Sequence, residues 1–228
     1  MNPCFDLLIF DWDGTLMDSE ARIVACMQAA AVDLGLPVPG RERTRDIIGL
    51  GLDEAIRSLF PDIDATGTEQ MVQRYRHHYL VANETPTPLF EGAAEVVTTL
   101  HDAGYLLAVA TGKGRRGLDR SLRQTGLEPL FHATRCADES RSKPDPDMLL
   151  QLLEELGVEP ARALMIGDTE YDLQMAANAG TAGLAVGYGV HSRERLLRHR
   201  PVHCIDDIRE LTGWLGSSAA GIDHRSRA

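Results

Sequence analysis

Two aspartates two positions apart, Asp11 and Asp13, close an apolar run that starts at Phe5 and leads into Gly14-Thr15-Leu16. Three other features carry polar groups suited to stand beside them: Thr111-Gly112, Lys143, and the pair Asp168/Asp172. Carboxylates gathered at one site repel each other, so three or four of them need a hard cation, and Mg²⁺ takes oxygen ligands of this kind. A hydroxyl, a backbone N–H after a glycine turn and an ammonium match the three oxygens of a phosphoryl group. An aspartate can attack phosphorus to form an acyl phosphate. A second carboxyl two residues on can protonate a leaving alcohol and later deprotonate water. Taken singly, each feature is ordinary: a D-x-D is often a solvated turn, and a Lys-Pro is usually loop chemistry. Their weight comes from position, because all four are expected at the carboxyl ends of strands, where open α/β sheets place ligands.

The elements that must position these groups can be read in outline. The first apolar run, with no polar alternation before Asp11, has the composition of a strand buried on both faces of a parallel sheet. Asp18-Ser19-Glu20 then opens a helix with an acidic first turn, and Ile23, Val24, Met27, Ala30, Ala31 and Leu34 recur at helical spacing as far as Gly35. Further helical text covers residues 41–48, 52–60 and 68–81, and nothing between 17 and 85 alternates like a strand. Thr85-Pro86-Thr87-Pro88 reads as a stiff connector. From Gly92 onward helices and strands alternate. Helices are expected at 93–103, after Gly114, from Asp145-Pro146 to Gly157, and up to Gly180; strands are expected at 105–110, 131–136, 163–166, 182–186 and 202–205. The expected fold is α/β, a doubly wound, Rossmann-like parallel sheet of residues 1–16 and 86–216, with a helical cap domain inserted at 17–85. Residues 217–228 are small and polar and are expected to form a disordered tail.

Bulk properties narrow the function classes. With 228 residues, 43% of them hydrophobic, the chain can build a sizeable core. A formal net charge of −11 argues against a nucleic-acid or anionic-membrane surface. It leaves room for a small anionic substrate, since a metal and a few local cations reverse the sign inside one pocket. Cys4, Cys26, Cys136 and Cys204 form no C-x-x-C pair and read as apolar fillers in a reducing compartment. No apolar run reaches the length of a membrane span, and Asp6 and Asp11 interrupt the N-terminal segment where a signal peptide would be apolar. The expectation is a cytoplasmic protein, monomer or homodimer.

The motifs resemble one family. Asp11-Trp12-Asp13-Gly14-Thr15-Leu16 is similar to the D-x-D-G-T-L signature of the haloacid dehalogenase-like superfamily. Ala110-Thr111-Gly112-Lys113 resembles its second motif, Ser142-Lys143-Pro144 its third and Gly167-Asp168-Thr169 with Asp172 its fourth, so the likeness spans residues 5 to 187. The helical insertion, Ile47-Ile48-Gly49-Leu50-Gly51-Leu52 and Leu89-Phe90-Glu91-Gly92 resemble the subgroup that contains phosphoglycolate phosphatases. The resemblance implies Asp11 as nucleophile and Asp13 as general acid and base. It implies Mg²⁺ held by Asp11, the Asp13 carbonyl and Asp168, with Asp172 a direct or water-mediated ligand. It also implies phosphoryl binding by Thr111, the Gly112 N–H and Lys143. Lys113 is a candidate contact for the leaving group.

The function implied is a Mg²⁺-dependent phosphatase acting on a small phosphorylated metabolite, phosphoglycolate first, through an aspartyl-phosphate. A pyrophosphatase on the same site is the alternative. A phospho-receiver or binding module is a lesser one, because Asp13 is placed to hydrolyse an acyl phosphate that a receiver must keep. Asp13 also counts against a dehalogenase. Ile23 and Leu52 stand where β-phosphoglucomutase-type mutases carry a histidine and an arginine. Trp12 is expected to pack and Thr15 to steady its loop; His77 and His78 read as a wet helix face. Arg22 and Arg45 are candidate cations for a substrate carboxylate, and the sequence does not choose between them.

Overall fold

The computed structural model describes residues 5–220. Cys4 and residues 221–228 lie outside them. Six strands, β1 (Leu7–Phe10), β2 (Leu106–Thr111), β3 (Ala133–Cys136), β4 (Ala163–Gly167), β5 (Ala182–Val186) and β6 (His203–Ile205), form one sheet. Its order is β3-β2-β1-β4-β5-β6 and every pairing is parallel. β1 lies in the middle, with Leu7 in register with Leu106 on one side and Ala163 on the other. The chain leaves β1 in one direction through β2 and β3, then returns to β1's other edge with β4. That reversal opens the crevice where doubly wound sheets bind ligands.

Alternation along β1 sends its side chains into two separate cores. Leu8 and Phe10 pack with Val97, Leu107, Val109, Leu118 and Ile166. Leu7 and Ile9 pack with Ala108, Ala110, Met148, Leu152 and Met165 on the opposite face. With helices on both faces, no position of the strand meets water, and so the sequence shows a continuous apolar run there.

Between β1 and the rest of the sheet lie α1 (Glu20–Asp33), α2 (Arg41–Asp46), α3 (Leu52–Leu59), α4 (Ala65–His77) and a π-helical turn, His78–Ala82. They pack around a cluster of their own that includes Met27, Ala30, Ile56, Leu59 and Met71. α4 starts three residues before the expected position because Asp64 caps it, accepting from the Gly67 N–H at 2.7 Å.

After the connector come α5 (Ala93–Asp102), α6 (Arg115–Thr125), α7 (Asp147–Leu156), α8 (Glu170–Ala179), α9 (Arg193–Leu197) and α10 (Glu210–Ala220). α7 and α8 end at Gly157 and Gly180 as expected. Pro146 is the cap of α7 and not its first residue, while Asp145 accepts from the Asp147 N–H at 3.0 Å. The expected tail requires correction: residues 217–220 continue α10, whose Leu211 and Leu215 are buried against the sheet. Its sequence, rich in Ser, Ala and Gly towards the end, concealed a helix anchored by two leucines. Short α9 was not expected either; Ser192 caps it by accepting from the Arg195 N–H. None of the described helices is long and apolar enough to cross a membrane.

Candidate active site

The ends of β1, β2 and β4, with the loop between β3 and α7 that carries Lys143, bring the four sequence features together. β1 hands over to Asp11, whose N–H donates to the Ile166 carbonyl at 2.9 Å. Asp11 is buried, and its Oδ1 accepts from Lys143 Nζ at 2.7 Å. Its Oδ2 is buried and has no hydrogen-bond partner. Beyond β4, Asp168 receives the Thr15 hydroxyl at 2.9 Å and the Val190 N–H at 2.8 Å. Thr15 is thus the loop-steadying hydroxyl that was expected, with a partner the sequence did not identify.

Asp172 sits in the first turn of α8 in a capping box with Thr169, which donates to Asp172 Oδ2 from its N–H at 3.0 Å and its hydroxyl at 2.7 Å. Asp172 Oδ1 accepts from Lys143 Nζ at 2.6 Å. Lys143 therefore lies between Asp11 and Asp172, its side chain fully buried.

Glycines permit this density. Gly14 turns the chain at φ +91°, and a Cβ there would fall 2.2 Å from Asp168 Oδ2. A Cβ at Gly112 would meet the carbonyl oxygens of Leu50 and Gly49 at 2.5 and 2.6 Å, so the loop before α3 rests directly on the turn after β2. Thr111 is buried there, its Oγ1 accepting from the Lys113 N–H at 3.2 Å. Ser142 ties the same loop down by accepting from the Gly51 N–H at 2.7 Å.

Asp13 points away from the other three aspartates. Its Oδ1 accepts from Ser19 Oγ at 2.6 Å and its Oδ2 pairs with Lys113 Nζ at 2.8 Å. The Asp18-Ser19-Glu20 triplet does open α1, but Ser19 at its N-cap makes no side-chain cap bond and donates to Asp13 instead. Lys113 also donates to the Tyr79 hydroxyl at 2.9 Å, with its Nζ 4.6 Å from the Tyr79 ring centre. Nothing at the sequence level singles out Tyr79.

Charge is unbalanced in the inner cluster. Asp11, Asp168 and Asp172 can each bring an oxygen within 4.8 Å of the others, against one ammonium. Burial pushes the Asp11 carboxyl up to about 7; Lys143 opposes this, and the charges of Asp172 and Asp13 add to it. Asp168 is pushed well above the usual carboxylate range by burial and by Asp11 and Asp172, against the Val190 N–H and Thr15. Burial alone would lower the Lys143 ammonium, but Asp11 and Asp172 outweigh it and raise it. Excess buried negative charge and an unpartnered Asp11 Oδ2 are what a divalent cation relieves, and the donors are all oxygen, so these residues fit Mg²⁺. Asp13 could contribute only its carbonyl, because its carboxylate is engaged elsewhere.

A cavity of about 1050 Å³ opens over Asp11, Asp13, Thr111, Gly112, Lys113 and Lys143. Neither Arg22 nor Arg45 lines it. Arg22 donates to the carbonyls of Tyr79, Asn83 and Thr85, and Arg45 pairs with Glu20 at 3.0 Å. The expectation that one of them would await a substrate carboxylate is not met by this geometry. His78 pairs with Asp33 at 2.9 Å, away from the cavity.

Residues 8–186 match the model of the haloacid dehalogenase-like hydrolases. The chain belongs to that family. It is 34% identical over 211 residues to "Probable phosphatase IndB" of Dickeya dadantii, covering 91% of this chain and 92% of that one. It is 30% identical over 212 residues to the N-acetylmuramic acid 6-phosphate phosphatase of Pseudomonas aeruginosa, covering 90% and 92%. It is 29% identical over 223 residues to the phosphoglycolate phosphatase of Pseudomonas putida, covering 95% and 82%. A solved hydrolase from Pseudomonas syringae shares the fold with a TM-score of 0.84 at 23% identity, covering 94% of this chain and 98% of that one. Family and relatives agree on a hydrolase of the phosphatase type. The relatives' names do not agree on a substrate.

Proposed function

We propose that this protein is a Mg²⁺-dependent phosphomonoesterase acting on a small phosphorylated metabolite through an aspartyl-phosphate on Asp11. The observation that carries this reading is Asp11, which lines the cavity with one carboxylate oxygen held by Lys143 and the other buried without a hydrogen-bond partner. A buried carboxylate held in place by an ammonium is disposed to attack along one direction.

In the first step the Asp11 carboxylate attacks phosphorus and the bond from phosphorus to the ester oxygen breaks. Asp13, when protonated, gives its proton to that oxygen and the alcohol leaves. In the second step Asp13 takes a proton from water as the water oxygen attacks the phosphorus, and the bond from phosphorus to Asp11 breaks. Inorganic phosphate leaves and Asp11 returns to its starting form. Thr111, the Gly112 N–H and Lys143 bind the phosphoryl oxygens, and Lys143 keeps Asp11 ionised beside them. Asp11, Asp168, the Asp13 carbonyl and, directly or through water, Asp172 would hold Mg²⁺. When bound, the ion would supply positive charge to offset that of the phosphoryl oxygens.

Residues 17–85 act in this reading as a cap. The contact of Gly49 and Leu50 with the Gly112 turn, and the bond from Gly51 to Ser142, support a closed arrangement that limits water at phosphorus. The test is Asp11→Asn. With Mg²⁺ and a panel of phosphate esters, phosphate release should fall by about 10³-fold or more. Retention of full Mg²⁺-dependent turnover would remove Asp11 from the mechanism.

A further inference from the structure

The part of the cavity that must receive the leaving alcohol has a chemistry of its own. Above Asp11 and Asp13 it is walled by Ile23, Met27, Ile48, Leu50, Tyr75 and Tyr79. Tyr75 and Tyr79 stack with ring centres 5.7 Å apart, and Ile23, Ile48 and Val190 pack into one cluster against them. These side chains offer area and aromatic faces, with few donors.

Of the five cations that line the cavity, Arg76 and Arg116 are exposed, and the other three are committed. Lys143 is bonded to Asp11 and Asp172, and Lys113 to Asp13 and Tyr79. Arg141 pairs with Asp145 at 3.2 Å. On the α3 side the wall carries two carboxylates, Asp53 and Glu54. Next to Asp11 and Asp13, a short carboxylate would meet the apolar wall and two ammonium groups that are already paired. The volume points the same way: about 1050 Å³ is at the upper end of pockets that take drug-sized ligands, roughly 300–1,000 Å³.

We propose that the leaving alcohol is larger than a two-carbon acid and presents an apolar or aromatic face to the Ile48–Tyr79 wall, so that phosphomonoesters of such alcohols are preferred over phosphoglycolate. The inference rests on the phosphatase reading for its reaction, but the apolar subsite stands on the geometry of the wall.

The test compares three esters with Mg²⁺, benzyl phosphate, ethyl phosphate and phosphoglycolate, and two phosphonates that cannot be hydrolysed, benzylphosphonate and methylphosphonate. Benzyl phosphate should exceed both other esters in kcat/KM by about ten-fold or more, and benzylphosphonate should bind about ten-fold tighter than methylphosphonate by calorimetry. Leu50→Asp places a charge on the wall and should cut the benzyl-to-ethyl ratio several-fold. Leu50→Ala, a milder change in a half-buried loop residue, should cut it less, and melting curves on both variants establish that they fold. Phosphoglycolate equal to or better than benzyl phosphate, or phosphonates that bind alike, would overturn the proposal. If no ester is hydrolysed while benzylphosphonate still binds about ten-fold tighter, the phosphatase reading falls and the apolar subsite stands.

Discussion

The cavity has two walls of different construction. On the sheet side, every carboxylate oxygen of Asp11, Asp13, Asp168 and Asp172 except Asp11 Oδ2 is held by a hydroxyl, an N–H or an ammonium. On the helical side, the surface is largely aliphatic and aromatic, with Asp53, Glu54 and Arg76 beside it, and polar ties join it to the sheet side: Gly51 to Ser142, Tyr79 to Lys113, and Asp46 to Arg195. A network of buried charges with every atom but one assigned tolerates no exchange of residue type. An apolar wall tolerates substitution as long as volume and character are kept. One wall is suited to a single reaction, and the other is free to vary with the alcohol it receives.

Removing the ammonium from the sheet-side network should have the largest effect on stability. Lys143→Met leaves Asp11 and Asp172 buried without their counter-charge, a change of the kind that costs about 3–5 kcal/mol. Urea unfolding without added metal would read it, and an unchanged midpoint would mean the network is not the rigid side of the comparison. A smaller effect is expected at the join of the two walls. Ser19→Ala removes the 2.6 Å hydrogen bond that orients Asp13 while leaving the phosphoryl-binding groups in place. It should lower kcat by about ten-fold, in line with the loss of one hydrogen bond to a charged group, with KM little altered. A fall expressed wholly in KM would show that Ser19 serves substrate binding instead.

The smallest effect concerns the margin where Arg195 ties Glu170 on the sheet side to Asp46 on the helical side. The Arg195 hydrogen bond, against some opposition from burial, holds the Glu170 carboxyl down at about 2, with the Arg195 charge and His199 assisting. A depressed folded-state pKa contributes stability that is present above the ordinary value of 4.5 and lost as pH falls towards 2. Glu170→Gln should therefore flatten the acid limb of a plot of melting temperature against pH between about 4.5 and 2. It should change activity little, since Glu170 does not line the cavity. An acid limb as steep as that of the unmodified protein would show that this seam does not contribute.

The same division governs what could be read in advance. Asp11, Asp13, Thr111, Gly112, Lys143, Asp168 and Asp172 were legible because each stands at a fixed offset from a strand end, and strands of this kind announce themselves as unbroken apolar runs. The helical side was legible only as helices. Ser19 stood only as part of a helix-opening triplet, and nothing marked Tyr79 or, beyond β5, Val190, because their partners lie 6, 34 and 22 residues away. The same limit hid α10, whose leucines declare a core only when the sheet stands beneath them.

By itself, then, the sequence determined the order of elements, the parallel sheet and the carboxylates, hydroxyl and ammonium gathered at its edge, since these follow from local periodicity and from motifs a few residues long. Tertiary structure alone decided that Asp11 keeps one oxygen free, that Asp13 turns from the acidic cluster towards Ser19 and Lys113, and that Arg22 and Arg45 are occupied outside the cavity. Those facts depend on which distant group fills each hydrogen-bonding position, and only the packed chain assigns those partners.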